Sequence, residues 1–280
     1  MEERTGTFAA SDGLSLFYRW MAAASPAAAV LIVHGYAEHS GRYRWVMENL
    51  ASLGFAAFAP DLRGHGRSVA RAGTLADLDK ADRIPDDLHR MRALIQENLA
   101  SVPVFVLGHS LGCCLSALYI LRYPQDAAGF ILSGPALTIP EYASPFLLRL
   151  VGLMARLFPL LPMQEFDYHQ VSRDPQVIRA LEEDPLYYKG KVRARTGYEM
   201  LRCLREAGER LEEISLPLLI LQGGEDRLVN RKDAALVHRR ASSADKTLHV
   251  FPGLFHEILN EPEKREVLDF IVDWLRRHLA

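Results

Sequence analysis

Short, uniformly apolar runs recur along the chain and alternate with longer segments whose apolar positions fall at helical spacing. The runs are Ala27-Ala28-Ala29-Val30-Leu31-Ile32-Val33, residues 55–59, Pro103-Val104-Phe105-Val106-Leu107, and residues 129–132, 216–222 and 246–251. A strand with one wet face alternates apolar and polar residues, so unbroken apolar runs predict strands covered on both faces. Helical spacing marks residues 40–53, ended by Gly54, and residues 86–99, with Pro85 near the first turn. It also marks the stretch after Ser110 and residues 231–240 and 262–279. Residues 5–20 alternate on either side of Ser11-Asp12-Gly13, the pattern of a β-hairpin. Together these elements predict an α/β fold with a mostly parallel central sheet and helices on both faces.

One segment breaks the rhythm. No buried strand is legible in residues 137–205, where helical pieces are punctuated by Pro140, Pro145, Pro159, Pro162, Pro175 and Pro185. We expect residues 1–136 and 206–280 to form the core and residues 137–205 an inserted helical cap. Residues 146–161 are largely apolar, interrupted by Arg149 and Arg156 on one helix face. Two readings fit: a cap helix packed on the core, or a greasy lid over an acyl channel that touches lipid surfaces.

Composition narrows the class. The chain has 280 residues, 49% hydrophobic and 24% charged, enough for a large core and unlike a disordered segment. The net charge of -2 gives no electrostatic footprint for nucleic acid. Lys189, Lys191, Arg193 and Arg195 read as a solvated face, with headgroup binding as the alternative. The three cysteines, Cys113, Cys114 and Cys203, have neither disulfide nor metal spacing and read as small buried hydrophobes. The polar start lacks a signal-peptide pattern and no stretch is a clean membrane span, so the expectation is a cytoplasmic protein, peripheral to membranes if the cap is greasy.

The chemistry is written in Gly108-His109-Ser110-Leu111-Gly112, which lies between an apolar strand and a helix. A tight strand-to-helix turn exposes the central hydroxyl and aims the helix N-terminus at it. A serine hydroxyl needs a base and a group that orients the base. In parallel α/β sheets such groups collect beyond the carboxyl ends of strands. Of the ten histidines, His256 is the candidate base, because it follows the last strand, residues 246–251, in the loop before the final helix. His249 reads as structural or surface-facing, His65 as loop-shaping, and the side chain of His109 should point away from the nucleophile. Either Asp226 or Glu225, beyond the preceding strand, could orient His256. The backbone N–H groups of Leu111 and Tyr36 are the candidate oxyanion donors.

With these residues in place, the chain resembles the monoacylglycerol lipase and lysophospholipase-like branch of the α/β-hydrolases. The resemblance is carried by His34-Gly35-Tyr36-Ala37-Glu38-His39-Ser40-Gly41-Arg42-Tyr43, Asp61-Leu62-Arg63-Gly64-His65-Gly66-Arg67-Ser68 and the Ser110 pentapeptide. It continues through Ser172-Arg173-Asp174-Pro175, Asp184-Pro185-Leu186, Gly224-Glu225-Asp226-Arg227-Leu228-Val229 and Phe255-His256-Glu257-Ile258-Leu259-Asn260-Glu261. Cys113 and Val69 stand where that branch often has glycine. The resemblance implies an α/β-hydrolase fold and an ester hydrolase for monoacylglycerols, with Ser110, Asp226 and His256 as triad, Tyr36 and Leu111 as oxyanion donors, and no cofactor or metal. The Asp61 stretch reads as a structural turn. Lysophospholipase, thioesterase and small-ester carboxylesterase activities are the alternatives within the fold. A hydrolase-fold ligand-binding protein is the alternative outside catalysis.

Overall fold

The computed structural model describes residues 2–99, 101–139 and 144–279. Pro140, one of the prolines expected to punctuate the insertion, lies outside the described residues. The chain opens with strands β1 (Arg4–Ala9) and β2 (Ser15–Ala22), paired antiparallel as the alternating pattern predicts. Then come β3 (Ala29–Val33), α1 (Arg44–Ser52), β4 (Ala56–Pro60), α2 (Ile84–Asn98), β5 (Val104–His109), α3 (Leu111–Arg122) and β6 (Gly129–Ser133). The insertion holds α4 (Pro145–Leu157), β7 (Pro162–Gln164), α5 (Pro175–Glu183), β8 (Val192–Arg193) and α6 (Ala194–Glu209). The chain returns with β9 (Leu218–Gly223), α7 (Lys232–Arg240), β10 (Lys246–Phe251) and α8 (Lys264–Arg277).

The large sheet has the order β1-β2-β4-β3-β5-β6-β9-β10. From β4 onward its neighbours are parallel, while β2 joins antiparallel at one side. The apolar runs are explained by two cores, one on each face. Leu31, Val33, Val106, Phe130 and Ile220 face α2 and α3, where Leu88, Met91, Leu115 and Tyr119 complete the packing. Val30, Ile32, Phe105, Ile131 and Leu219 face α1 and α8, meeting Met47, Leu50, Leu268 and Ile271. Successive residues of one strand thus serve opposite cores. Strand β10 differs from the expectation of a doubly buried strand. As an edge strand it leaves Val250 47% exposed, and His249 is half-buried against the rings of Phe251 and Phe270.

Helix α3 is apolar all round because it is covered all round: Leu111 to Ile120 are buried, and α2, α6 and β5 pack against it. Cys113, Cys114 and Cys203 are buried in this layer, as read from the sequence. The Asp61 turn is structural. The Asp61 carboxylate accepts from Ser40 N–H at 2.8 Å, Ser40 Oγ at 2.5 Å and Arg67 N–H at 2.7 Å. Buried Arg63 is held by Asp87 and Asp12.

Among the described residues, the insertion adds no strand to the large sheet; β7 and β8 form a separate antiparallel pair. Helix α6 runs past residue 205 and buries Cys203 and Ala207 in the core beside α3, so the expected boundary falls inside a helix. Helix α4 stops at Leu157, where Phe158-Pro159 cannot continue it. The basic run lies at the surface, with Lys189 and Lys191 exposed, and each of its members has a partner. Lys189 Nζ donates to the carbonyls of Glu182 and Asp184, Lys191 pairs with Glu165, Arg193 donates to the carbonyls of Gly73 and Leu75, and Arg195 pairs with Asp77. These contacts fasten the insertion to itself and to the loop after β4. Among the described residues, no helix is long and apolar enough to cross a membrane.

A tight backbone contact joins the start of α3 to the end of β3. A Cβ on Gly112 would overlap the carbonyl oxygens of Val33 and His34. Gly112→Ala should therefore lower unfolding stability by about 1–3 kcal/mol, the usual range for overpacking, and denaturant unfolding against wild type checks it. A variant as stable as wild type would mean that the helix can shift without cost.

Candidate active site

Strand register builds the site. Val33 lies opposite Gly108 and Ser133 opposite His109, so the chain leaving β3 and β6 flanks Ser110 from both sides. Phe251 lies opposite Gly223, which brings the loops after β9 and β10 to the same rim.

Ser110 is the residue between β5 and α3 and has φ 53 and ψ -121. An L-residue rarely adopts this conformation, and holding it costs on the order of 1–3 kcal/mol. It is maintained by Ser110 N–H donating to Ser133 C=O at 3.0 Å and by the first turn of α3. Gly35 sits so close that a Cβ there would lie 3.1 Å from Ser110 Cβ.

His256 Nδ1 and Asp226 Oδ2 are 2.7 Å apart, and both residues are buried. The second Asp226 oxygen accepts from the N–H groups of Leu228 and Val229, and Gln222 Nε2 donates to the first. A carboxylate with four donors is rigidly aimed. Burial pushes the Asp226 acid group up, but the His256 hydrogen bond and charge and the two backbone donors outweigh it, so Asp226 titrates below the usual carboxylate range. Burial pushes His256 down, but the hydrogen bond and charge of Asp226, with Glu257 and Glu38 behind them, raise it above the ordinary value of 6.5. With Nδ1 donating to Asp226, Nε2 is left as the basic nitrogen. Of the two carboxylates the sequence left open, Asp226 is the one bonded to His256, whereas Glu225 is exposed.

Next to Ser110 lies the loop after β3. Tyr36 N–H has no acceptor among the described residues. Leu111 is the first residue of α3, so its N–H has no partner within the helix. The Tyr36 ring packs edge-on against His65, Phe166 and Tyr188, beneath the insertion. His34 Nε2 accepts from Leu62 N–H at 2.9 Å, which leaves Nδ1–H to donate to Gly35 C=O at 2.8 Å. Burial, with the neighbouring His65, keeps His34 neutral well below its ordinary range.

His109 pairs through Nδ1 with Ser133 C=O and lies ring against ring with His256 at 4.8 Å. His65 Nδ1 donates to Arg63 C=O and shapes its loop. Four functional-looking contacts escaped the sequence reading. His39, given no role there, pairs with Asp184 of the insertion at 2.8 Å. Glu38, Arg42 and Glu257 form a buried charge cluster: Arg42 donates to both oxygens of Glu257 at 2.5 and 2.6 Å and reaches Glu38 at 3.4 Å. Their signal was present, since Glu257 follows His256 directly and Glu38 lies two residues after Tyr36.

The chain as a whole is similar to known proteins. The family model Hydrolase_4, described as serine aminopeptidase, S33, matches residues 24–263. The chain is 34% identical to a monoacylglycerol lipase of Mycolicibacterium smegmatis, over 98% of this chain and 97% of that protein. It is 32% identical to the human monoglyceride lipase, over 96% of this chain and 89% of that protein. Among solved structures, that of a monoacylglycerol lipase from Paleococcus ferrophilus superposes with a TM-score of 0.80 at 27% identity, covering 99% of this chain and all of that one.

The titration of His256 gives a pH test. Only neutral imidazole can take a proton, so kcat/KM should fall as pH drops through a midpoint above 6.5. In Asp226→Asn burial is unopposed by that charge, so the midpoint should move to lower pH while the rate falls about 10⁴-fold. A pH–rate profile of both proteins with a soluble ester checks it; an unmoved midpoint would count against the pair.

Proposed function

Because the chain belongs to the Hydrolase_4 family, the serine aminopeptidase S33 group, and is a serine ester hydrolase, we propose that it cleaves monoacylglycerols to fatty acid and glycerol. The observation that carries this reading is the buried Asp226–His256 pair, whose imidazole lies 4.8 Å from the ring of His109, the chain neighbour of a strained Ser110. Full-length likeness to two proteins named for monoacylglycerol or monoglyceride hydrolysis supports the choice of substrate.

In the proposed reaction Ser110 Oγ attacks the ester carbonyl carbon while its proton passes to His256 Nε2. Asp226 steadies the imidazolium. The N–H groups of Tyr36 and Leu111 hold the oxyanion. The carbonyl re-forms, the C–O bond breaks, and the leaving alcohol takes the proton from His256. Water, deprotonated by the same imidazole, then releases the fatty acid and restores Ser110. No resident cofactor enters this scheme.

Residues 137–205 would serve as the cap. Tyr188 N–H donates to Ala37 C=O, Glu257 N–H donates to Val171 C=O, and Phe166 and Tyr188 cover Tyr36. On α4 the exposed apolar residues Phe146, Leu150, Leu153 and Leu157 recur at i, i+4, i+7 and i+11, and Phe158, Leu160, Leu161 and Met163 extend the patch. Soluble surfaces rarely leave so many large apolar side chains together. The stripe suits transient contact with a lipid surface, with Arg149 and Arg156 available to phosphate headgroups.

Two experiments test the reading. Ser110→Ala should abolish hydrolysis of a long-chain monoacylglycerol while retaining wild-type unfolding behaviour. Turnover surviving in that variant would refute Ser110 as nucleophile, and wild-type preference for acetate esters over long-chain monoacylglycerols would refute the substrate. In liposome co-sedimentation, wild type should pellet with anionic vesicles and a Phe146→Ser, Leu150→Ser, Leu153→Ser variant should stay in the supernatant. Equal partitioning of the two proteins would sink the lipid-contact role.

A further inference from the structure

The loop carrying the proposed oxyanion donor is gripped at two backbone atoms. Gly35 C=O accepts from His34 Nδ1 at 2.8 Å, and Gly35 N–H donates to Glu38 Oε1 at 2.6 Å. The peptide that follows Gly35 carries Tyr36 N–H. In a planar trans peptide that N–H points opposite to the Gly35 carbonyl, so anchoring Gly35 on both sides fixes where Tyr36 N–H aims.

Glu38 is 3% exposed. Its Oε1 also accepts from Tyr43 Oη at 2.9 Å, and its Oε2 lies 3.4 Å from Arg42 Nη1. Arg42 in turn forks onto Glu257, the neighbour of His256, and Asn260 Nδ2 donates to Glu257 at 3.0 Å. Two buried carboxylates share one guanidinium here. Burial and the Glu257 charge push the Glu38 acid group up against the opposing pull of Arg42, so the site is an expensive place for a carboxylate. Stability alone would favour an apolar side chain there, as replacements of buried ion pairs often show.

We propose that Glu38 is a positioning residue for this reaction: by its reach it holds Gly35 N–H so that Tyr36 N–H faces the oxyanion. The inference rests on the ester-hydrolysis reading above. Reach is what the clamp requires of residue 38, because the acceptor must span to Gly35 N–H.

Two variants separate reach from charge. Glu38→Gln keeps the length and one amide oxygen as acceptor. Glu38→Asp keeps the charge but withdraws the acceptor by about one bond length, roughly 1.5 Å. Rates are measured on p-nitrophenyl butyrate, with active enzyme counted by fluorophosphonate titration so that misfolded protein does not enter kcat. Losing an aimed oxyanion donor costs about 10²–10³ in kcat, so Glu38→Asp should fall by that order with KM little changed. Its affinity for a trifluoromethyl ketone, whose serine adduct carries the oxyanion, should fall in parallel. Glu38→Gln should retain most of both. Wild-type kcat in Glu38→Asp, an equal loss in Glu38→Gln, or unchanged ketone affinity would each overturn the proposal. Ser110→Ala run alongside keeps the two ideas apart: activity there defeats the hydrolase reading itself, whereas silence there with intact Glu38 variants defeats only the clamp.

Discussion

The first turn of α3 presses against the last residues of β3 with nothing but hydrogen on Gly112 between them. That approach has two consequences. It forces the chain to reverse within one residue, and Ser110 takes up the positive φ that results. It also lays the loop after β3 against the serine, with Gly35 at van der Waals distance. A looser turn would relax Ser110 and move it away from Gly35. The strain is small beside the two doubly packed cores that impose it, so the sheet can hold a bend that the local sequence would not choose.

Burial then sets the protonation states. Around Ser110 the histidines are pulled in different directions by similar desolvation. His34 and His109 lack a carboxylate partner and stay neutral, whereas His256 has Asp226 and is lifted above its ordinary range. One imidazole in the cluster therefore combines basicity with a fixed tautomer. The difference lies in the hydrogen-bond partner, since all are fully enclosed.

The insertion is bound to the core by polar contacts to loops and by apolar packing, with Val171, Leu181, Tyr187, Cys203 and Ala207 buried in the core cluster. His39 with Asp184, Arg195 with Asp77 and Tyr188 with Ala37 fasten it over the strand ends. Helix α4 is the exception: it packs against α6 through Gly152 beside the Tyr198 ring and turns an apolar stripe outward.

The sequence determined the sheet, its helices and the chain positions of the reacting groups. Unbroken apolar runs mean strands with two covered faces whatever surrounds them, and a glycine-flanked serine between a strand and a helix admits few conformations. Residue spacing likewise pointed to Asp226 or Glu225 and to His256, because groups just beyond parallel strands share one rim. Tertiary structure decided between the two carboxylates, since only register and the donors from Leu228, Val229 and Gln222 show which one faces the imidazole. It gave each member of the basic run at residues 189–195 a partner. It also assembled Glu38, Arg42 and Glu257 from two distant segments. Periodicity reports how much water a residue meets, and it is silent on which charged group a buried carboxylate finds once the chain has folded.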